Sequence, residues 1–105
     1  MGFRGTYKNK RDANEAQVFS VLESHGIQIR PIDVPCDAIV NFKGWTYLIE
    51  VKNGPKAKLT PTQEAFHRDW QGDIHILSTD AEAEAFAKGV RIAASAGLQY
   101  RGTIS

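Results

Sequence analysis

Apolar and polar positions along the chain resolve into seven elements. Glu15, Val18, Phe19 and Leu22 fall at i, i+3, i+4 and i+7, one face of a helix. This helix starts at Asp12 and runs to about His25, with Gly26 as its stop; Asp12 as cap and Glu15 at the third position make a D-x-x-E capping box. Residues 27–32 alternate as a short strand, placed near an edge by Pro31. PCDAIVNF, Lys43-Gly44 and WTYLIEVK then read as a β-hairpin, rich in β-branched and aromatic residues. Its second arm is apolar on both faces, Trp45, Tyr47, Ile49 and Val51 against Thr46 and Leu48, as in a central strand covered on two sides. Asn53-Gly54-Pro55 breaks it.

Thr60-Pro61-Thr62-Gln63 predicts a helix start, with a Thr cap, Pro at the first position and Gln reaching back. That helix runs to about Trp70, with Ala65, Phe66 and Trp70 inward. A short strand follows over Asp73 to Leu77. The last helix, from about Asp80 to Ala96, carries Ala83, Phe86, Ala87 and Val90 at helical spacing and stops at Gly97. Residues 98–105 form a tail that either adds an edge strand or lies disordered. The order α-β-β-β-α-β-α predicts an α/β fold, a mixed four-stranded sheet with helices on both faces.

With 105 residues, the chain is sized for one domain, residues 12–97, preceded by an arm, 1–11, that lacks periodicity. A hydrophobic share of 42% and a charged share of 24% are those of an ordinary globular protein. One cysteine excludes an intramolecular disulfide, and one Cys with three scattered His gives no zinc spacing, which suits a reducing cytoplasm. No apolar run approaches a membrane span, and no signal-peptide apolar region is visible at the N-terminus.

The net charge of +1 is unevenly spread. Arg4, Lys8, Lys10 and Arg11 crowd the arm without an acid, and Lys43, Lys52, Lys56 and Lys58 surround the hairpin. Asp69 to Glu84 holds five acids and no Lys or Arg. Basic segments beside an acidic site suit a polyanionic partner; a merely solvated surface explains the same clusters.

The hairpin carries the candidate chemistry. With a two-residue turn, Phe42 faces Trp45, Asn41 faces Thr46, Ile39 faces Leu48, and Asp37 faces Glu50. Opposed carboxylates repel by roughly 0.2–1 kcal/mol, and burial among apolar neighbours raises the cost further; a divalent cation between them relieves both. Lys52 returns to the face of Glu50 by the period of two. Lys-Gly lies outside the commonest hairpin turns, so a bulge that shifts Asp37 away from Glu50 stays open, while the Glu50–Lys52 spacing is independent of it. Glu15 serves either the capping box or the site. Gln63 has a capping explanation, His67 reads as a surface or partly buried residue rather than a ligand, and His75 lines its strand.

Asp37, twelve intervening residues and then Glu50-Val51-Lys52, on this element order, resemble the PD-(D/E)XK nuclease superfamily, whose members include restriction endonucleases and Holliday junction resolvases. Glu15 on the first helix and the TPTQ helix start are most similar to its VRR-NUC branch, which includes small stand-alone phage and bacterial nucleases. The resemblance covers about Asp12 to Leu77. It departs at Cys36, which separates Pro35 from Asp37 where the family has proline next to the acid.

The resemblance implies a restriction-endonuclease-like αβββαβ core and a cytoplasmic, metal-dependent DNA endonuclease. In that reading Asp37, Glu50 and the Val51 carbonyl ligate Mg²⁺, with Mn²⁺ able to substitute. Lys52 orients or deprotonates the attacking water, Glu15 contacts the metal through water or binds a second one, and Gln63 positions water or phosphate. Arg4, Lys8, Lys10, Arg11, Lys56 and Lys58 hold the DNA backbone. The family analogy further implies a homodimer acting on branched DNA such as Holliday junctions. The competing expectations are a catalytically silent nucleic-acid-binding module of the same fold, and an unrelated domain with Glu50 and Lys52 on an edge strand.

Overall fold

A computed structural model describes residues 14–53 and 58–102. Their elements are α1 (Glu15–Ser24), β1 (Gln28–Pro31), β2 (Ala38–Phe42), β3 (Trp45–Val51), α2 (Pro61–Asp69), β4 (His75–Leu77) and α3 (Asp80–Ser95), the order the pattern predicts. The strands form one sheet in the order β1-β2-β3-β4, antiparallel except for the parallel pair β3-β4. The protein is therefore α/β with a mixed four-stranded sheet and, among the described residues, three helices. β1, with its proline, is an edge strand.

The hairpin has the predicted register, Phe42 opposite Trp45, Asn41 opposite Thr46 and Ile39 opposite Leu48. Its two turn residues both take positive φ, Lys43 at 52° and Gly44 at 93°, the twist that lets a two-residue turn match the twist of the strands. Lysine is strained there, and Asn41 braces the turn by accepting from the Gly44 amide at 3.0 Å and donating to Thr46 Oγ1 at 2.9 Å. The ladder closes at Ala38 opposite Ile49, one step short of Asp37.

Strand alternation divides the structure into two sides. Tyr47, Ile49 and Val51 join Ala38 and Val40 against Val18 and Leu22 of α1 and Ala83, Phe86, Ala87 and Val90 of α3, forming the core. The four α3 positions are those predicted, and their alanines let α3 lie close to α1 and the sheet. α2 lies on the other side, over the Glu50 end of β3. It covers that face only in part, leaving Ile39 and Ile76 exposed, so the expectation of β3 covered on two sides holds at one end.

Three further expectations are corrected. The described part of α1 begins at Glu15 with Asn14 as its cap, so Glu15 occupies the first helical position rather than the third; Asp12 lies outside the described residues. Trp70 does not point inward. The helix ends at Asp69 and Trp70 has extended backbone, so the helical period no longer aims its ring, which is 47% exposed and packs on Phe66. Nor is the described part of the tail a strand. Tyr100 stacks on His75, meets Phe86 edge-on and donates its backbone N–H to Tyr47 Oη at 2.9 Å, while Arg101 pairs with Asp73. Gly89 in α3 makes room for that ring, since a Cβ there would stand 2.3 Å from Tyr100.

His75 sits within this aromatic cluster, with Tyr47 and Phe86 also in ring contact. Burial lowers its pKa below 6.5, opposed by the charge of Asp73. The unfolded chain thus binds the extra proton first, so this contribution to stability is complete above 6.5 and is lost as pH falls through the lower folded value. Melting temperature should fall from pH 7 to pH 5, and His75→Phe should flatten that slope; an unchanged slope in the variant contradicts the assignment.

Candidate active site

Glu50 is the central residue. It lies on β3 on the side away from the main core, yet none of its surface is exposed. A carboxylate so placed needs strong hydrogen-bond partners. Gln63, in the first turn of α2, donates from Nε2 to Glu50 Oε2 at 2.8 Å. Its Oε1 accepts from the Thr60 backbone N–H at 2.8 Å and from Lys52 Nζ at 3.3 Å. Three partners fix the orientation of the amide. A flip would turn its NH₂ toward an ammonium and an N–H, and its oxygen toward a carboxylate. Gln63 is therefore both the capping residue and the link between Glu50 and Lys52. The two roles coexist because its amide has more than one donor and acceptor.

The same bonds place Lys52 on the side of Glu50, as the alternation predicts. Lys52 Nζ also donates to the Lys58 carbonyl at 3.3 Å. Its backbone is held from two directions: its N–H donates to Leu77 O at 3.1 Å, and its carbonyl accepts from Asn14 Nδ2 at 2.8 Å. Asn14 Nδ2 also donates to the Ser78 carbonyl, which ties the start of α1 to the ends of β3 and β4. Asp37, just outside the ladder, accepts from the Val51 N–H through Oδ2 at 2.8 Å. Its own N–H donates to Ile49 O at 3.1 Å. The acid from β2 is thus attached to the residue between Glu50 and Lys52.

His67 is partly buried, in line with the expectation, and its ring stands beside Glu50. One turn after Gln63 on α2, its side chain is only 17% exposed, with Nε2 3.5 Å from Glu50 Oε1. That exceeds a good hydrogen bond and is a contact across the site. Burial, and secondarily the Lys52 charge, lowers its pKa. The i, i+4 spacing from Gln63 was the available signal, but it becomes informative only once α2 is known to cross the end of β3.

Cys36 is buried near both acids. Burial raises its pKa first, and the charges of Glu50 and Asp37 add to the rise, so the thiol stays protonated. Glu15 is buried at the start of α1. Among the described residues, no group of three or more His, Cys, Asp and Glu side chains is placed to hold a metal ion. The two acids that the hairpin brings to this end are Asp37, bonded to the Val51 N–H, and Glu50. Hard oxygen donors of this number suit a cation that keeps several waters, as Mg²⁺ does, and do not suit zinc. Lys58 is exposed at this end. Arg4, Lys8, Lys10, Arg11 and Lys56 lie outside the described residues.

No family model, curated protein or solved structure matches the chain. The site is accordingly read from its own chemistry. The site brings together a buried acid, a second acid bonded to the residue beside it, and an oriented ammonium.

The Gln63 bridge has a measurable consequence. Thr60→Ala removes the cap oxygen that accepts from the Gln63 N–H and should cost about 1 kcal/mol. Gln63→Ala also removes a donor to a buried carboxylate and should cost roughly 2–3 kcal/mol. Urea unfolding of the two variants checks the difference, and equal losses would show that Glu50 does not depend on Gln63.

Proposed function

We propose that the protein is a metal-dependent DNA endonuclease that hydrolyses phosphodiester bonds, built on a restriction-endonuclease-like core. The observation that carries the reading is the fully buried Glu50 joined through Gln63 to Lys52, two residues along the chain and just past the end of β3. A purely structural strand gains little from an acid in that position, because an apolar residue of similar volume is often as stable or more so.

In this reading Asp37 and Glu50, with the Val51 carbonyl, hold Mg²⁺ or Mn²⁺. A cation held there would lower the pKa of its water and offset charge at the phosphate. Gln63 keeps the Glu50 carboxylate aimed. Lys52 Nζ, held toward the site by Gln63 Oε1, gives a hydrogen bond to the attacking water and offsets the negative charge that grows on the phosphate oxygens. Glu15 acts through water from the start of α1. His67, with its pKa lowered, stays neutral beside Glu50 and adds no competing positive charge. Lys58, with Lys56 and the basic arm of Arg4, Lys8, Lys10 and Arg11, contacts the DNA backbone without reading sequence. The proposed substrate is branched DNA cut by a homodimer, whose two-fold symmetry presents two sites to symmetric strands.

The test is cleavage of labelled four-way junction, flap, single-stranded and duplex DNA under Mg²⁺ and Mn²⁺. Metal-dependent cutting is expected, with paired symmetric nicks in the junction. Asp37→Ala and Lys52→Ala should each lower the rate by at least about 100-fold. Binding without cutting under either metal would leave a silent binding module of the same fold. Neither binding nor cutting would overturn the reading.

A further inference from the structure

At the other end of the sheet, the hairpin turn, the end of α1 and the C-terminal half of α3 enclose an open cleft of about 740 Å³. Its character is amphipathic. Phe42, partly buried, and Ile92, 70% exposed, supply apolar surface. Lys43, Lys88 and Arg91 also line it, and among the described residues no acidic side chain does. Lys43 Nζ stands 5.6 Å from the centre of the Phe42 ring, which keeps its charge over the apolar surface.

Arg91 is positioned by a relay. Its Nη1 donates to His25 Nδ1 at 3.1 Å, so the imidazole carries its proton on Nε2 and donates it to Glu84 Oε1 at 2.6 Å. Glu84 thus engages His25 and does not line the cleft. The guanidinium is held at the wall with donors to spare. A space this large exceeds the needs of a single phosphate and falls in the range of sites for larger ligands.

We infer that this cleft binds an unpaired nucleic-acid strand, bases against Phe42 and Ile92 and phosphates against Lys43, Lys88 and Arg91. Apolar and aromatic surface beside a cationic wall is the combination that takes exposed bases and backbone together, whereas duplex DNA offers no free base face. The cleft shares no residue with the candidate active site. From Trp45 to Glu50 is roughly 17 Å along β3, at about 3.4 Å per residue. The inference therefore stands apart from the cleavage chemistry. If both hold, the cleft gives the unpaired part of a branched substrate a second contact.

The test is fluorescence anisotropy of a short labelled oligothymidylate titrated with the full chain in EDTA, across a salt series. The unmodified protein should bind. The double variant Lys88→Glu/Arg91→Glu should bind at least about tenfold more weakly, and its salt slope should fall by about 1.4, from roughly 0.7 per lost strand phosphate. Lys88→Gln/Arg91→Gln, gentler to the fold, should move both quantities in the same direction, with circular dichroism confirming folded protein. Unlabelled oligothymidylate should compete better than polyglutamate of equal charge. Absence of binding, undiminished binding by folded variants or equal competition by polyglutamate would overturn the inference. Binding at the cleft without cutting of any DNA would support it and count only against the nuclease reading. Cutting with unaltered oligothymidylate binding in the cleft variants would do the reverse.

Discussion

A single side-chain amide holds the candidate site together. Gln63 gives its NH₂ to the buried Glu50 carboxylate and its oxygen to Lys52 and to the Thr60 N–H. The capping box that starts α2 is therefore also the support of Glu50 on β3 and of Lys52 just past its end. Because the cap fixes where α2 begins, it fixes where the glutamine reaches, and His67 follows one turn later on the same side. Loss of the amide would remove a hydrogen bond from a fully buried carboxylate.

The rest of the architecture brings the two strand ends to this helix. Parallel pairing with β4 and the Asn14 side chain secure the backbone of Lys52, while the antiparallel hairpin delivers Asp37 beside Val51. The main core lies on the opposite side of β3, where Tyr47, Ile49 and Val51 face α1 and α3. One strand thus has a face that stabilises the fold and a face that ends in the polar, buried Glu50. Such an arrangement opposes local stability, a common property of sites that act on ligands.

Much of this was legible in the sequence because it is local. The hairpin register follows from a period of two and a two-residue turn, and the buried face of α3 follows from the spacing of Ala83, Phe86, Ala87 and Val90. The Thr60 to Gln63 cap is a four-residue pattern. What was missed is non-local. Asn14 serves carbonyls 38 and 64 positions away, so nothing near it marks it as a tether. His67 stands beside Glu50 only because α2 crosses the end of β3. Tyr100 docks because Gly89 leaves space for it, and Trp70 turns outward because its helix stops one residue earlier than its apolar period suggests. The opposition of Asp37 and Glu50 was partly legible: the register runs toward it, but the ladder ends first and a side-chain bond to Val51 takes over.

In the proposed function Glu50 is buried for a ligand and not for the fold. Calorimetric titration of Mn²⁺ into the metal-free protein and into Glu50→Gln, with unfolding of both followed without metal, tests it most directly. Saturable uptake by the unmodified chain is expected, with its loss in the variant and a variant at least as stable as the original, since the amide replaces a buried ionisable carboxyl. No uptake, or uptake undiminished by the substitution, would contradict it.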